Sequence, residues 1–444
     1  MPDEPAAQDG DGPRAEQEDA GTTDASEENG ARRGATTWIA IGSTGNGLAA
    51  FGFQLIGTRA LGPEGYAPIG VLWTLQYLWI AIAVTAVEAY VTRMTTVGGP
   101  ASPELARFLR LFGRWLLVAA ASVTAVGWAL RDVLFDGTEA LAVALGLVVL
   151  GYGWYGVVRG RAAGTDRFRA YSVATAAESV LRFLAAAVVL AVSATARSLA
   201  WVFPIGPLTV IVWARLRTPG LAAVPDTDVR APASANHRPR GGRRFLAAAS
   251  SANASVQFLL AGGPLVLLVL GADAVAVAVF FTTITAARIP MTFALNGGLS
   301  RLLPPLTRLS EADDVAGLRR TSRWLVAAIA TAMLAAVGGA AALGPEVIAL
   351  LFGEGFRPSR GFTMLIGAGM VLAVGGLLLD QVYIATHREA RLPAVWLSAV
   401  AVAVALVIVL PGTPTMRVAT SFTLATAAAV TALAVPMLRR WSRT

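Results

Sequence analysis

About twelve apolar stretches, each close to 20 residues long, recur along the chain, and they limit its fold more than any other feature. A helix rises about 1.5 Å per residue, so a stretch of this length crosses the roughly 30 Å of hydrocarbon in a bilayer. The sequence therefore predicts an all-α integral membrane protein. The predicted spans cover residues 37–58, 66–91, 108–130, 140–158, 171–192, 197–216, 245–270, 275–300, 324–343, 361–384, 391–410 and 415–438.

The composition agrees with this class and excludes several kinds of site. Of the 444 residues, 55% are hydrophobic and only 14% are charged, which is too apolar for a soluble protein of this size. The chain has no cysteine, so disulfides and thiolate metal sites are excluded, and its only histidines are His237 and His387. A histidine-based metal centre or a Ser/His/Asp relay therefore has almost no residues to form it. We expect no metal, no cofactor and no enzymatic activity.

The distribution of arginine predicts how the chain is oriented. All 36 basic residues are arginines, and positive charge concentrates in the cytoplasmic loops of membrane proteins. Loops on one side of the predicted membrane hold most of them. The opposite loops hold only Arg59, Arg131, Arg197, Arg357, Arg360 and Arg417. We therefore expect both termini to be cytoplasmic and the turn at 59–70 to lie outside.

Two segments outside the spans divide the chain into domains. Residues 1–35 are rich in carboxylates and lack an apolar run, which predicts a disordered acidic cytoplasmic tail. Residues 217–244 are rich in proline, alanine and arginine, which predicts a flexible cytoplasmic linker. The linker separates an N-terminal six-helix bundle, 36–216, from a C-terminal six-helix bundle, 245–440.

Short similarities between the halves indicate a repeat. LGPEGYA at 61–67 is similar to LGADAVA at 270–276, and VLFDG at 133–137 is similar to LLFGEG at 350–355. An even number of spans in each half predicts parallel repeats, related by a pseudo-twofold axis along the membrane normal. Two such bundles around a central cavity are typical of an alternating-access transporter.

The turn RALGPEGY at 59–66 resembles the signature after the first span of polysaccharide-type flippases, which belong to the multidrug/oligosaccharidyl-lipid/polysaccharide (MOP) exporter superfamily. ARIP at 287–290, LPPL at 303–306 and LFGEGF at 351–356 are similar to further landmarks of that family. The resemblance covers about residues 37–440. It departs at Ala67 and Pro68, where the family usually has glycine and an apolar residue. A proline in the first turn of a helix costs little.

The resemblance implies a V-shaped pair of six-helix bundles in a bacterial cytoplasmic membrane. It implies that the chain flips a lipid-linked oligosaccharide, which is a precursor of a polysaccharide or another cell-envelope glycan, from the inner to the outer leaflet. The implied partners are that glycan lipid, membrane lipids and glycan-assembly proteins. The short basic loops beside the spans are expected to set topology, so nucleic acid is not an expected partner.

Charges at mid-membrane depth are the first candidates for a site, because they are costly unless paired or hydrated. Arg288 lies near the middle of the eighth span, and no acid lies three or four residues away on its own helix. It therefore needs a partner from another helix, water, or an anionic ligand such as the pyrophosphate of a glycan lipid. A structural ion pair between helices is the alternative interpretation.

Four further charged residues are candidates. Glu178 and Arg182 are spaced four residues apart in the fifth span, which favours an intrahelical pair over a role at the cavity. Glu88 and Asp380 lie toward the cytoplasmic ends of their spans. They could take part in proton coupling or gating, or pair with Arg93 and nearby loop arginines.

Small and polar residues are shared by the first and seventh spans. Such residues let helices approach closely, and buried amides bridge them, so packing is the simpler interpretation. The alternative is a cavity wall that hydrogen-bonds sugars. The candidates for such a wall are Asn46, Gln54, Asn253 and Gln257.

Several other functions are open at this stage. A multidrug/cation antiporter would need a deep acid, and the first, seventh and eighth spans contain none. Relatives that flip peptidoglycan precursors generally carry two more spans. A membrane glycan polymerase or ligase would need a large outside loop with catalytic residues. A non-transporting membrane scaffold is a further alternative.

Overall fold

The computed structural model describes the backbone of residues 12–217 and 254–440. Side chains are described for 37–216, 254–289, 302 and 305–439. Asn253 and nearly all of the predicted linker 217–244 lie outside these ranges. The acidic segment 1–35 has no described side chains, so its predicted disorder and the predicted domain bounds stay predictions.

The described residues are helical throughout their regular structure, which confirms the predicted all-α membrane fold. Among them, nine helical stretches are long and apolar enough to cross a membrane. One of these, Thr37–Gly98, contains two helices that meet at Gly62. Two further predicted spans, the seventh and eighth, include residues outside the described ranges. The fold is that of twelve transmembrane helices in two bundles of six.

The first bundle contains helices α1 to α6. Helix α1 is the part of Gly12–Trp79 before Gly62, and α2 is the part after it. Helix α2 continues through a π-helical turn, Ile80–Val84, into Thr85–Gly98. The remaining helices are α3 (Pro103–Ala129), α4 (Glu139–Gly164), α5 (Phe168–Val192) and α6 (Ala196–Ala200 followed by Ile205–Arg217).

The second bundle contains helices α7 to α12. Helix α7 comprises residues 254–261 and Gly263–Val269, with a break at Gly262 beside Pro264. The remaining helices are α8 (Ala274–Glu311), α9 (Val315–Phe352), α10 (Arg360–Ala385), α11 (Leu392–Val409) and α12 (Pro414–Arg440).

Polar side chains in the loops fix where several helices start. The hydroxyl of Ser102 accepts a hydrogen bond from the amide of Leu105, and Pro103 occupies the first turn of α3. Asp273 caps α8 in the same way, by accepting a 2.7 Å hydrogen bond from the amide of Ala276. Each cap satisfies a backbone donor that the first turn of a helix leaves unpaired.

Gly62 makes the sharp reversal between α1 and α2 possible. Its φ of 66° and ψ of 179° lie in a region that is open almost exclusively to glycine. Pro63 follows directly, where its fixed φ and missing N–H suit the first turn of α2. The turn that the sequence singles out is therefore a strained corner between two transmembrane helices.

This corner joins the two bundles. Arg59 does not pair with Glu64 but donates to the carbonyls of Leu351 (3.1 Å, from Nε) and Leu350 (2.6 Å, from Nη2) at the C-terminal end of α9. A cation at this end of a helix meets carbonyls that lack intrahelical donors. We call the meeting of 59–65 with 350–356 the turn contact.

Two apolar contacts complete the turn contact. A Cβ atom at Gly355 would lie only 2.9 Å from Cγ of Pro63, so the glycine permits the close approach of these two turns. About two turns before Arg59 in α1, the ring of Phe51 packs edge-on against that of Phe352, with 6.0 Å between the ring centres. Both turns belong to loops predicted to face outside, so the bundles are closed against each other on that side.

Replacement of Arg59 with alanine should weaken the turn contact. A cation at a helix C-terminus contributes about 0.3–1 kcal/mol, so the population of molecules with separated turns should rise several-fold. The absence of cysteine from the chain allows spin labels to be attached only at Glu64→Cys and Glu354→Cys, and their distance to be measured by pulsed electron resonance. We expect longer distances in Arg59→Ala.

The matched control is Arg360→Ala. Arg360 is also exposed, but it pairs with Glu346 within its own bundle, at 3.7 Å. Its removal should leave the distance distribution unchanged. An unchanged distribution in Arg59→Ala would show that Arg59 does not hold the turns together.

Candidate functional site

A buried charge pair lies inside the first bundle. Arg182 Nη1 is 3.2 Å from Glu178 Oε1, and both side chains are almost completely buried. This confirms the intrahelical pair that the spacing predicts. Tyr152 of α4 joins the pair, since its hydroxyl donates to Glu178 Oε1 and accepts a 2.8 Å hydrogen bond from Arg182. The pair is neutral as a whole, which reduces the cost of its burial.

Further hydrogen bonds link the pair to other helices, although Arg182 Nε has no hydrogen-bond partner among the described residues. Ser179 Oγ lies 2.7 Å from Glu178 Oε2 and 2.6 Å from Asn46 Oδ1, so it links α5 to α1. Gln76 of α2 donates to the Tyr152 hydroxyl at 3.1 Å. The pair is therefore the centre of a network that connects α1, α2, α4 and α5. It is not fully satisfied, since Gln76 Oε1 also has no hydrogen-bond partner among the described residues.

Aromatic rings cover the Arg182 guanidinium. Its central carbon lies 4.6 Å from the ring centre of Trp73 and 5.9 Å from that of Phe53. These rings offer their negative faces to the cation in a place that water does not reach. Arg182 thereby holds Trp73 in position.

A second polar cluster lies in the same bundle and contains Glu88. Glu88 pairs with Arg159 of α4 at 3.2 Å rather than with Arg93, and it accepts a 3.0 Å hydrogen bond from the Tyr171 hydroxyl. Arg159 also donates to Tyr171 and lies over the rings of Tyr171 and Tyr155. This cluster is half-buried and, like the first, contains one acid and one base.

Arg288 lies apart from both clusters, in a cleft between the bundles. Its guanidinium stacks on Tyr77 of α2, with its central carbon 4.5 Å from the ring centre. The cleft has a wall from each bundle, and its lining residues are Trp73, Thr74, Tyr77, Ala261, Pro264, Phe281, Ile284, Thr285 and Arg288. Arg182 is not among them, but Trp73 separates it from the cleft.

Arg288 also donates to the backbone carbonyl of Leu260 in α7. In an unbroken helix this carbonyl would accept from the amide four residues later, but that residue is Pro264, which has no N–H. The guanidinium thus satisfies an acceptor that the proline leaves without its helical donor. The side chain is half-buried and lines the cleft.

Asp380 is the buried acid of the second bundle. It accepts a 2.9 Å hydrogen bond from the indole N–H of Trp396 through Oδ2, whereas Oδ1 has no hydrogen-bond partner among the described residues. Gln54 and Gln257 each have a buried side-chain oxygen that also has no hydrogen-bond partner among the described residues. No contact among the described residues joins these three side chains to Arg288.

The structure therefore brings together only part of the predicted set. Glu178, Arg182 and Asn46 form one network, Glu88 belongs to another, and Arg288 and Asp380 are separate. Sequence reasoning missed the aromatic partners of these charges. Those partners are Trp73, Tyr77, Tyr152, Tyr155 and Tyr171. The spacing of Tyr152, Tyr155 and Arg159 along one face of α4 is the signal that was available.

No protein-family model and no curated protein matches the chain. Solved structures do match. An inward-facing conformation of a multidrug resistance MATE family transporter of the MOP superfamily is 15% identical, with 92% of this chain and 98% of that chain covered and a TM-score of 0.63. An outward-facing conformation of such a transporter has 15% identity, 92% and 96% coverage, and a TM-score of 0.53.

A MOP superfamily transporter from Pyrococcus furiosus, described as having a binding pocket of reverse polarity that suggests a different function, is also 15% identical. The match covers 92% of this chain and 94% of that chain, with a TM-score of 0.55. At this identity the likeness shows the fold. The chain is a multi-pass membrane protein with the fold of these transporters, and its helices agree better with the inward-facing than with the outward-facing structure.

The buried pair gives a prediction about stability. Arg182→Met should destabilise the protein by roughly 3–5 kcal/mol, because it leaves Glu178 buried without its counter-charge. The double variant Glu178→Gln, Arg182→Met should be much less destabilised, since both charges are removed. Thermal unfolding in detergent, followed by tryptophan fluorescence, measures the difference.

The exposed pair of Arg131 and Glu139, at 3.9 Å, provides the control. Arg131→Met should change the midpoint of unfolding very little, because exposed ion pairs contribute little. If Arg182→Met and the double variant unfold at the same temperature, the charge of Glu178 does not depend on Arg182.

Proposed function

We propose that this chain, which has the fold of the MOP superfamily transporters, flips a lipid-linked oligosaccharide by alternating access. Arg288 is proposed to bind the anionic phosphate portion of the glycan lipid. The observation that carries the proposal is the position of Arg288 in a cleft with one wall from each bundle. A ligand in this cleft would contact both bundles, so its binding would respond to their relative movement.

The chemistry of Arg288 supports an anion. In the present state its guanidinium donates to a neutral carbonyl, that of Leu260. A phosphate carries a negative charge and can accept two parallel hydrogen bonds from one guanidinium, whereas a carbonyl is neutral. The lipid phosphate would therefore displace this internal bond. The ring of Tyr77 would keep the guanidinium positioned throughout.

The state of the molecule supports the proposed direction of transport. The turn contact closes the bundles on the predicted outer side, and the helices agree better with an inward-facing structure. We propose that this state receives the substrate from the inner leaflet of a bacterial cytoplasmic membrane, with both termini in the cytoplasm. Glycan-assembly proteins are proposed partners.

The acids are proposed to serve coupling and gating rather than substrate binding. Glu178 and Glu88 are each tied to an arginine of their own bundle. Asp380 has only Trp396 as a hydrogen-bond partner among the described side chains, and it lies on α10 of the other bundle. Asn46, Gln54 and Gln257 are proposed to lie along the substrate's path, and so is Asn253, which lies outside the described residues.

A multidrug transporter is the second candidate. It is favoured by the solved structures, two of which are of multidrug resistance MATE family transporters. The charge of the cleft separates the two candidates. Its charged lining residue is a cation, Arg288, and a fixed positive charge opposes the binding of cationic drugs.

The test uses the purified protein in liposomes that contain a fluorescent oligosaccharide linked to a lipid diphosphate. We expect the protein to accelerate the exposure of the label on the opposite leaflet, measured by its reduction with dithionite. Loss of a hydrogen bond to a charged group costs about 1.5–3 kcal/mol. Arg288→Ala should therefore slow flipping by roughly ten- to a hundred-fold, and Arg288→Lys should retain part of the rate.

Arg215→Ala serves as the matched control, because Arg215 is exposed at the end of α6 and does not line the cleft. Its rate should equal that of the unchanged protein. Full activity of folded Arg288→Ala would remove Arg288 from the site. Efflux of a cationic dye without any flipping of the glycan lipid would favour the multidrug alternative.

A further inference from the structure

Three arginines form a row on the exposed face of α3. Arg107, Arg110 and Arg114 are all exposed and follow one another at intervals of three and four residues. With 3.6 residues in each turn, they share one face of the helix and span two turns, or about 10.5 Å along its axis. We call them the α3 arginine row. The proposed function makes no use of them.

The opposite face of α3 holds the helix in its bundle. Its buried residues are Leu105, Ala106, Leu109, Phe112, Leu116, Ala120 and Gly127, and α3 packs mainly against α4. The arginine row therefore points away from the first bundle and, as far as the structure describes the chain, meets no other helix. No salt bridge to a described carboxylate involves the row, although Glu104 is nearby on the same helix.

The surroundings of the row indicate lipid rather than water. Leu111 lies between the arginines and is 67% exposed, and Leu117 and Val118 continue the face at 61% and 65%. Such a face is apolar enough to contact acyl chains. One side of Arg114 therefore faces hydrocarbon, where burial of an arginine without an anionic partner costs free energy.

An aromatic row runs beside the arginines. Phe108, Phe112 and Trp115 stack at 5.7 and 6.0 Å between ring centres, and Trp79 of α2 stacks on Trp115 at 5.9 Å. Tryptophan side chains gather where headgroups meet acyl chains, and Trp115 is 50% exposed next to Arg114. They indicate that the arginine row lies at the depth of the lipid phosphates.

We propose that the α3 arginine row binds the headgroup phosphate of an anionic phospholipid. A guanidinium presents planar, paired donors that match phosphate oxygens, and three of them in a row concentrate positive charge along one helix face. The acyl chains of the lipid lie against Leu111, Leu117 and Val118. The site is distinct from the cleft of Arg288 and does not depend on the proposed substrate.

The test places the full-length protein in phosphatidylcholine vesicles that contain phosphatidylglycerol with brominated acyl chains. Bromine quenches nearby indoles, and Trp115 is 50% exposed beside the row. We expect more quenching with brominated phosphatidylglycerol than with the same fraction of brominated phosphatidylcholine. An arginine near an anionic headgroup contributes about a fivefold preference, so the excess should fall by about that factor for each arginine replaced.

Two variants and one control make the result specific to this face. Trp115→Phe should remove most of the excess quenching, which assigns it to this position. Arg107→Gln, Arg110→Gln, Arg114→Gln should remove it while Trp115 remains. Arg131→Gln, at the other end of α3 and paired with Glu139, should leave the excess unchanged.

Two results would overturn the proposal. One is an equal effect of the two brominated lipids on the unchanged protein, and the other is a full excess in the triple variant. If the triple variant does not fold, Arg114→Gln alone replaces it. That single variant should lower the excess about fivefold, and no decrease would also overturn the proposal.

Discussion

The cost of placing charge in an apolar medium organises the interior of this protein. In the first bundle the cost is offset within the bundle itself, because Glu178 pairs with Arg182 and Glu88 pairs with Arg159. Each pair recruits tyrosine hydroxyls and aromatic faces, so its helices are joined by polar contacts as well as by apolar packing. Separation of α2 from α4 would leave Glu88 and Arg159 unpaired, and separation of α4 from α5 would remove Tyr152 from the Glu178–Arg182 pair. The bundle is therefore expected to move as one body.

In the second bundle, the charge of Arg288 meets a backbone carbonyl and an aromatic ring. Helix α7 is interrupted at Gly262, beside Pro264, and the interruption leaves the Leu260 carbonyl without its helical donor. Arg288 of α8 satisfies this carbonyl and at the same time reaches Tyr77 in the other bundle. The helix break and the arginine are thus joined by one hydrogen bond, and they meet in the cleft between the bundles. The break in α7 and the arginine in α8 are therefore explained by the same hydrogen bond, from Arg288 to the Leu260 carbonyl.

Local features of this chain could be predicted from its sequence, whereas the contacts between helices could not. The spans are visible because hydropathy is a property of consecutive residues, and the Glu178–Arg182 pair follows from a spacing of four in a helix. The sequence offers Arg93 and nearby loop arginines as partners of Glu88 without singling out one of them. Its actual partner, Arg159, lies on another helix, and only the packing of α2 against α4 brings the two together. The same holds for Arg59, whose acceptors, Leu350 and Leu351, lie 291 and 292 residues away.

Trp73 connects the Glu178–Arg182 pair with the cleft that contains Arg288. One face of its ring meets the Arg182 guanidinium, and the residue also lines the cleft that contains Arg288. The wall of the cleft is thereby fixed by a charge pair that no ligand in the cleft needs to touch. Arg182, for which the sequence favours an intrahelical pair over a role at the cavity, reaches the cleft only through Trp73. Because Pro63, Trp73 and Tyr77 all lie on α2, we expect a movement that separates Pro63 from Gly355 to shift Trp73 and Tyr77 as well. Opening of the turn contact and reshaping of the cleft are then coupled through α2.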